Sequence, residues 1–339
     1  MKEKNKPILG ITTGDINGIG IEIILKTFSD KRMFEICTPI IFGSHKVLND
    51  YKRSIDINDI NFNTINSYQK INPKTINIFN CWEEQIKIEL GKITKLGGKY
   101  ALKSILASAK ALKCGDIDIL VTAPINKQNI QSKKFNFPGH TEFYEQQFNG
   151  SALMLMISDN LRVSMVTGHV PISEVSASIN KEKILKKLIV LQTTLIQDFG
   201  IKKPKIAVLG LNPHASDDGL LGFEENKIII PAIKEAADNN ILVFGPYPAD
   251  SFFRSININQ FDGVLAMYHD QALIPFKTIS SDNGVNFTAG LKYIRTSPDH
   301  GTAFNIAGQN KANEQSFRSA VYSACDIYNK RKEFNALMN

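Results

Sequence analysis

The stretch Asp262–Lys277, DGVLAMYHDQALIPFK, constrains the fold more than any other, because a short apolar run ends abruptly at polar side chains. The apolar residues 264–267 are too few for a membrane helix and are typical of an interior strand of a parallel sheet. Ligands of open α/β sheets bind just past the carboxyl ends of such strands, so His269 and Asp270 occupy a position suited to chemistry. A helix N-terminus, with Asp270 as its cap and His269 merely exposed, is the alternative.

Four of the six histidines occur in similar settings, beside a Gly or Pro turn or at the end of a predicted strand. These four are His140, His169, His214 and His269. Imidazole is the commonest metal ligand, and three such groups from separate loops make an open site with positions left for substrate oxygens. None of them shows the HxxxH spacing of a strong zinc motif, so the sequence alone suggests a metal site without proving one.

Length and composition limit the class of protein. The 339 residues exceed what one hydrophobic core usually holds, which predicts two domains of α/β type. The net charge is +7, but the lysines are scattered, so we expect an anionic small substrate and no nucleic acid. Four well-separated cysteines and the lack of a signal-peptide core or long apolar span predict free thiols, a cytoplasmic location and no membrane contact.

Apolar runs and turn residues predict alternating strands and helices. Strands are predicted at 7–13, 38–42, 117–122, 151–158, 161–170 and 262–267, and in KIAVLGL and ILVFGPY. Helices are predicted at 19–28, after His45, at 100–112, at 141–148 with Thr141 as N-cap, and at 181–199, 224–239 and 314–329. A turn at Asp159–Asn160 makes the pair 151–158 and 161–170 antiparallel. The Gly-rich segment after Lys277 is predicted to be a long functional loop.

A glycine-rich turn, with glycines at 14, 18 and 20, follows the first predicted strand. A strand, such a turn and a helix suggest contact with an anion. The spacing GxxxGxG is not the dinucleotide fingerprint GxGxxG, however, and the lysine of a P-loop is missing. A tight strand-to-helix turn and a direct ligand contact both stay open.

Several strings, in order from Gly10 to about residue 315, together resemble the 4-hydroxythreonine-4-phosphate dehydrogenase family. They are TTGDINGIGIE, VTAPINK, PGHTEF, GHVP, GLNPHASDDG, GPYPADSFF, YHDQALIPFK and GVNFTAGLKYIRTSPDHGTAFNIAG. The resemblance implies the isocitrate and isopropylmalate dehydrogenase-like fold, an α/β fold of two α/β/α domains with the active site in the interdomain cleft. We expect one discontinuous domain, 1–125 plus 250–339, with the NAD loop, and a second, 126–249, with the interface of a homodimer.

The resemblance also implies the reaction and the residues that serve it. The family oxidises 4-phosphohydroxy-L-threonine with NAD or NADP, and the product loses carbon dioxide, in the synthesis of pyridoxine 5'-phosphate (vitamin B6). A divalent metal (zinc, magnesium, manganese or cobalt) is held at a site shared between subunits by His169, His214 and His269. Substrate contacts go to His140, Thr141, Lys277, Asn286 and Arg295, which moves His140 out of the metal set.

Further roles follow from the same resemblance and from chemistry. The string DHGTAFNIAGQNKAN is similar to the adenosine loop of isopropylmalate dehydrogenases, which implies NAD contacts at Gly301, Ala307, Gly308 and Asn313. Beside His269 and Lys277, Asp250 and Asp270 are candidates to orient a histidine or to relay the hydroxyl proton. Lys277 and Arg295 suit phosphate and carboxylate, although Arg295 could instead pair with Asp299.

Three other functions are alternatives to the oxidation of 4-phosphohydroxy-L-threonine. Relatives of the same fold oxidise four-carbon sugar-acid phosphates or aromatic dihydrodiols, and the sequence does not separate these substrates cleanly. A three-histidine metal hydrolase without nicotinamide would leave the late glycine-rich segment unexplained. A catalytically idle metabolite-binding protein would not need the full set of polar residues.

Overall fold

The computed structural model describes residues 6–57, 59–159, 161–254 and 258–338. The chain forms two compact units, each built from strands and helices. Unit 1 comprises Met1–Asn149 and Lys292–Tyr328, and unit 2 comprises Gly150–Leu291 and Asn329–Asn339. The predicted α/β fold class is therefore confirmed.

The strands and helices alternate along much of the chain. The strands are β1 (Ile8–Thr12), β2 (Thr38–Gly43), β3 (Phe62–Ile65), β4 (Ile76–Asn80), β5 (Ile119–Thr122), β6 (Leu153–Ile157), β7 (Arg162–Met165), β8 (Lys205–Leu209), β9 (Leu242–Tyr247), β10 (Gly263–Ala266), β11 (Val285–Ala289) and β12 (Ile294–Pro298). The helices are α1 (Gly20–Ser29), α2 (Met33–Ile36), α3 (His45–Ser54), α4 (Lys95–Cys114), α5 (His140–Phe148), α6 (Val175–Ser178), α7 (Lys181–Gln197), α8 (Ile230–Asp238), α9 (Ala249–Phe252), α10 (His269–Ser280) and α11 (Gln315–Met338). Short helical turns occupy Tyr68–Lys70, Ile172–Glu174, Pro213–Gly219 and Glu225–Ile229.

The strands of unit 1 lie in the order β3-β4-β2-β1-β5-β12, and each neighbouring pair is parallel. β2, β5 and β12 are buried at every position, as expected for parallel strands covered on both faces. Helix α4 packs against β1, β2 and β5. This arrangement brings the carboxyl ends of β1, β5 and β12 to one edge.

The strands of unit 2 lie in the order β11-β6-β7-β10-β8-β9. β10 is the predicted buried parallel strand, and it pairs in parallel with β7 on one side and β8 on the other. Val264 and Ala266 pack into a core shared with α9 and α10, whereas Gly263 faces Leu191 and Leu195 of α7. The strand is thus covered on both faces.

The predicted antiparallel pairing of 151–158 with 161–170 is confirmed by the register of β6 and β7. The turn that joins the two strands was predicted at Asp159–Asn160, of which Asn160 lies outside the described residues. The other strand next to β6 is β11, which is also antiparallel to it.

Three expectations differ from the structure. The segment after Lys277 is not one long loop, because β11 and β12 lie within it. The predicted boundaries at residues 125 and 249 also differ, since α5 belongs to unit 1 and the pairing of β10 with β7 and β8 brings 250–291 into unit 2. Thr141 is not an N-cap, because α5 begins one residue earlier and Gly139 precedes it.

None of the described helices is long and apolar enough to cross a bilayer.

Candidate active site

Two predicted metal ligands, His169 and His269, come together in unit 2. They follow β7 and β10, and the pairing of these parallel strands continues past their ends, where Thr167 N donates to Met267 O at 3.1 Å. The Thr167 hydroxyl donates to the same carbonyl at 2.8 Å. The two imidazole rings lie 5.6 Å apart between centroids. His169 and His269 are a hundred positions apart in sequence, but they are close in space because β7 and β10 are adjacent strands.

His269 is the first residue of α10, and Tyr268 precedes it as N-cap without a side-chain hydrogen bond. A helix therefore starts here, as the alternative interpretation had it, but Asp270 does not cap the helix. Its Oδ1 lies 2.6 Å from His269 Nδ1 instead. A carboxylate on one ring nitrogen orients a histidine and leaves the other nitrogen, here Nε2, for a metal. This contact fits an orienting role for Asp270, which stays a prediction.

The spacing of the two rings fits a shared metal ion. With a metal–nitrogen distance of about 2.1 Å, two imidazole ligands have ring centroids roughly 4.5 to 6.4 Å apart for ligand angles of about 90° to 180°. The observed 5.6 Å falls within that interval. Among the residues that the structure describes, however, no three His, Cys, Asp or Glu side chains form a possible metal site. His214 therefore does not complete this pair within its own chain.

His214 lies in the turn Pro213–Gly219, whose backbone is unusual. The five residues from His214 to Asp218 all have positive φ, between 46° and 70°. Such left-handed backbone is costly for residues with side chains and persists only where the surroundings hold it. The turn packs against α9, which carries the predicted catalytic residue Asp250 as an exposed side chain in its first turn.

A buried carboxylate holds the start of this turn. Glu225 is fully buried in the π-helical turn Glu225–Ile229, and its Oε1 accepts hydrogen bonds from Leu211 N and Asn212 N, both at 2.7 Å. Its Oε2 accepts a third from the Asn212 side chain at 2.9 Å. π-helical turns are frequent at functional sites. Sequence reasoning did not single out Glu225; an acid on the inner face of a predicted helix was the signal for it.

Gln271 joins the ends of two strands. Its Oε1 accepts from Met267 N at 2.7 Å, and its Nε2 donates to Gly210 O at 2.8 Å. Met267 directly follows β10, and Gly210 directly follows β8. One side chain therefore fixes the loop that carries His269 relative to the loop that leads to His214.

In unit 1, Arg295 lies in β12 with only 2% of its surface exposed. Its Nε donates to Thr122 Oγ1 at 3.0 Å, and its guanidinium lies 5.9 Å from the centre of the Tyr144 ring. Burial lowers the pKa of Arg295 to about 10, against the opposing effects of Tyr144 and Glu142. A buried cation of this kind is costly unless an anion compensates it. Thr122 and Tyr144 were not predicted as site residues.

Asp299, the alternative partner considered for Arg295, forms hydrogen bonds with Ser316. Asp299 Oδ1 accepts a hydrogen bond from the Ser316 hydroxyl at 3.1 Å, and Asp299 N donates to the same hydroxyl.

His140 stacks on Tyr144, with ring centroids 6.1 Å apart and planes tilted by 8°. Burial lowers the pKa of His140 well below its usual value, and the charges of Arg295 and Lys127 lower it further. The imidazole is therefore neutral at pH 7. Its buried Nε2 has no hydrogen-bond partner among the described residues. Such orphaned buried atoms are rare in proteins and suit a polar ligand.

The remaining predicted substrate residues are distributed over both units. Asn286 lies in β11 of unit 2, and its buried Oδ1 likewise has no partner within the described part of the chain. Lys277 is exposed in the last turn of α10, eight residues after His269 and hence about 12 Å along the helix axis. Thr141 is partly buried in the first turn of α5.

The segment predicted to bind NAD, 300–313, forms successive turns in unit 1. An added Cβ on Gly301 would meet nothing within 4 Å, so a ligand can approach the backbone there. The buried Nε2 of His300 lacks a hydrogen-bond partner among the residues described. Both features fit a polar cofactor beside Gly301. Ala307 is 9% exposed, Gly308 has a φ of 77°, and Asn313 Oδ1 accepts from Gln315 N at the start of α11.

Comparison with known proteins gives a consistent result. The family model described as pyridoxal phosphate biosynthetic protein PdxA matches residues 35–324. A 4-hydroxythreonine-4-phosphate dehydrogenase of Bacteroides thetaiotaomicron is 49% identical over 99% of this chain and 93% of its own. A protein of Oceanobacillus iheyensis, provisionally named a D-threonate 4-phosphate dehydrogenase, is 37% identical over 95% of this chain and 98% of its own.

The fold is also similar to a solved structure. The crystal structure of the 4-hydroxythreonine-4-phosphate dehydrogenase of Klebsiella pneumoniae has a TM-score of 0.82 and 30% identity, and the match covers 96% of this chain and 98% of that one. The family-model match spans most of the chain, and the nearly full-length relatives agree with it. The chain belongs to the family of the pyridoxal phosphate biosynthetic protein PdxA, whose members compared above are dehydrogenases, as the motifs of the sequence predict.

Proposed function

We propose that this protein is an NAD- or NADP-dependent 4-hydroxythreonine-4-phosphate dehydrogenase that requires a divalent metal. The observation that carries the proposal is the meeting of His169 and His269 at the ends of adjacent parallel strands, with Asp270 behind His269. The reaction converts 4-phosphohydroxy-L-threonine and NAD⁺ to 2-amino-3-oxo-4-phosphooxybutanoate, NADH and a proton. The keto acid then loses carbon dioxide to give 3-amino-2-oxopropyl phosphate.

The metal and the nicotinamide would supply different parts of the chemistry. When bound, a divalent cation lowers the pKa of a coordinated hydroxyl, and nicotinamide accepts a hydride from the carbon that bears it. Asp270 would orient the His269 ring and leave Nε2 to hold the cation, and it is also a candidate to receive the hydroxyl proton. Asp250 is the second candidate for that proton.

The substrate's charged and polar groups match the chemistry of the predicted contact residues. The buried guanidinium of Arg295 suits a carboxylate or phosphate oxygen, because Arg binds such groups through two parallel hydrogen bonds. The neutral His140 and the amide of Asn286 offer buried polar atoms that a substrate would satisfy. Lys277, at the far end of α10 from His269, suits the phosphate at the end of the substrate.

We further propose that the metal site is completed by a second copy of this chain, which supplies His214. Exposed apolar side chains follow each predicted metal ligand. Ile172 follows His169, Leu220 and Phe223 follow His214, and Ile274 follows His269, with 55% to 78% of each exposed. Large exposed apolar side chains suit burial in a protein interface.

The proposal is tested by following the absorbance of reduced nicotinamide. Purified protein, stripped of metal, is supplied with zinc, magnesium, manganese or cobalt, with NAD or NADP, and with 4-phosphohydroxy-L-threonine. We expect turnover only when metal, cofactor and substrate are all present. The His269→Ala variant should be inactive under the same conditions. Comparable turnover without metal, or by His269→Ala, would contradict the proposal.

The same assay separates the alternative substrates. The likeness to the Oceanobacillus protein makes D-threonate 4-phosphate, a four-carbon sugar-acid phosphate, the main competitor. A higher kcat/KM for it than for 4-phosphohydroxy-L-threonine would assign the chain to that reaction instead. Hydrolysis of a phosphate or amide without nicotinamide would indicate the metal hydrolase.

A further inference from the structure

The glycine-rich turn after β1, GDINGIGIE, uses several of its backbone amides inside the protein, unlike the phosphate-binding amides of a P-loop. Three of its amides already donate within the protein: Asp15 N to Pro124 O at 2.9 Å, Asn17 N to Asp15 Oδ1 at 3.0 Å, and Gly18 N to Asp15 O at 3.0 Å. The buried Asp15 carboxylate would also repel an anion. These contacts favour the tight strand-to-helix turn over a direct ligand contact, and the residues that the turn contacts indicate its function.

The turn contacts the segment predicted to bind the cofactor. Ile19 N donates to Thr302 O at 3.0 Å, and a Cβ on Gly18 would come within 2.8 Å of the same carbonyl oxygen. A second stretch contacts both: Gly91 N donates to Asn17 O of the turn at 2.9 Å, and the neighbouring Leu90 packs closely against Gly308 of the segment. Gly18 is thus required for a close approach between two backbones.

An ion pair in α1 extends this contact to the end of the segment. Glu22 is fully buried, and its Oε1 accepts hydrogen bonds from Lys26 Nζ at 2.9 Å and from Ala312 N at 2.8 Å. Lys26 Nζ also donates to Asn310 O at 3.0 Å and to Ala312 O at 2.9 Å. Glu22 and Lys26 therefore bind each other, and together they also bind one amide and two carbonyl groups of the backbone at 310–312.

We propose that Glu22 and Lys26 are positioning residues that fix the segment 300–313 in the conformation that binds the nicotinamide dinucleotide. This inference rests on the proposed function, which assigns the cofactor to that segment. The segment contains neither a helix nor a strand among its described residues, so turns and these charged contacts hold it. A binding loop that is ordered in advance does not lose that conformational entropy when the ligand binds.

The test compares cofactor binding with substrate binding in single variants. Lys26→Met keeps the aliphatic stem and removes the ammonium, and Glu22→Gln keeps an acceptor for Ala312 N without a charge. Lys103→Met is the matched control, because Lys103 forms a Lys–Glu pair with Glu84 at 2.7 Å in the same unit. We expect Lys26→Met to raise the dissociation constant for NADH, measured by its fluorescence, by about tenfold. The KM for the phosphorylated substrate and the control should stay within about twofold of wild type.

Hydrogen exchange gives a readout that does not require catalysis. The amides of 302–313, Ala312 above all, should exchange faster in Lys26→Met than in Lys103→Met, while those of β1 and β5 keep their wild-type rates. Lys26→Met leaves a buried carboxylate unpaired, so if it does not fold, Glu22→Gln decides the question by the same measurements. Faster exchange with unchanged cofactor affinity in both variants, or unchanged exchange, overturns the inference.

A third variant separates failure of the inference from failure of the proposed function. Gly301→Val adds a side chain whose Cβ meets nothing within 4 Å in the free protein, and the side chain occupies the space beside the backbone that a cofactor would use. If Gly301→Val weakens NADH binding and the two α1 variants do not, only the inference is wrong. If Gly301→Val binds NADH as wild type does, the cofactor assignment to this segment is wrong as well.

Discussion

The charge state of His140 follows from its surroundings and can be measured through stability. Burial, with Arg295 and Lys127 nearby, lowers the pKa of His140, so the folded protein keeps the ring neutral where the unfolded chain would protonate it. The unfolded state therefore binds the extra proton below about pH 6.5, and the free energy of unfolding falls as the pH falls. Above that pH the contribution is constant.

We expect urea denaturation to show this loss between pH 7.5 and pH 5.5 in the wild-type protein. In His140→Asn, which has no proton to take up at this position, the decrease in unfolding free energy over the same interval should be smaller. Equal decreases in the two proteins would mean that the ring is protonated in the folded state too.

Lys277 should act on the phosphate of the substrate and not on the reacting carbon. Charge-assisted hydrogen bonds to a phosphate are strong, so Lys277→Ala should lower kcat/KM for the phosphorylated substrate by about one to two powers of ten. The loss should be much smaller for the unphosphorylated analogue. Lys186→Ala, an exposed lysine of α7 in the same unit, is the control. An equal loss with both substrates would remove Lys277 from the phosphate site.

At the level of elements, local patterns predicted those parts whose backbone is regular. The run VLAM of β10 and its polar end, the antiparallel pair β6 and β7, and most helix positions could be derived from periodicity. β11 and β12 were missed because glycines and small polar residues, which are typical of loops, surround two short strands that are buried by tertiary packing. Burial from distant elements is not encoded in the local pattern.

The candidate site shows the same division. His169, His214 and His269 were chosen because they follow predicted strands, whereas Arg295 was chosen from a family motif, and all of these assignments stay predictions. The left-handed turn at His214 and its anchor Glu225 could not be predicted, because they depend on contacts between residues that are more than ten positions apart. Thr122 and Tyr144 contact Arg295 only because β12 brings the guanidinium close to both of them.

Glu225 should affect metal binding although it is not itself a predicted ligand. Its removal frees Leu211 N and Asn212 N and releases the strained turn that presents His214. We expect Glu225→Ala to weaken binding of zinc or cobalt by about tenfold to a hundredfold, as loss of a supporting contact usually does. Competition with a coloured chelator measures this affinity without turnover. Glu235→Gln is the control, because it breaks only the surface pair with Lys181 and should leave the metal affinity unchanged. A wild-type metal affinity in Glu225→Ala would contradict the positioning role.

At the scale of the whole molecule, the distribution of the three histidines predicts which subunits share a site. His169 and His269 of one chain are adjacent, and within the described residues no third ligand joins them. If His214 comes from the second subunit, a heterodimer of His214→Ala with His269→Ala keeps one complete site: the intact pair of the first chain and the intact His214 of the other. A heterodimer of His169→Ala with His269→Ala keeps none, because each pair has lost a member.

Purification through two different affinity tags gives heterodimers of defined composition, whose activity can then be measured. The combination of His214→Ala with His269→Ala should show about half of the wild-type activity per dimer, since one of two equivalent sites survives. Both parent homodimers should be inactive, and the combination of His169→Ala with His269→Ala should stay inactive after mixing. Activity only in the latter combination would mean that the adjacent rings serve different metals. No activity in any combination would mean that each site is built within a single chain, so that the His214 turn must move to reach the pair.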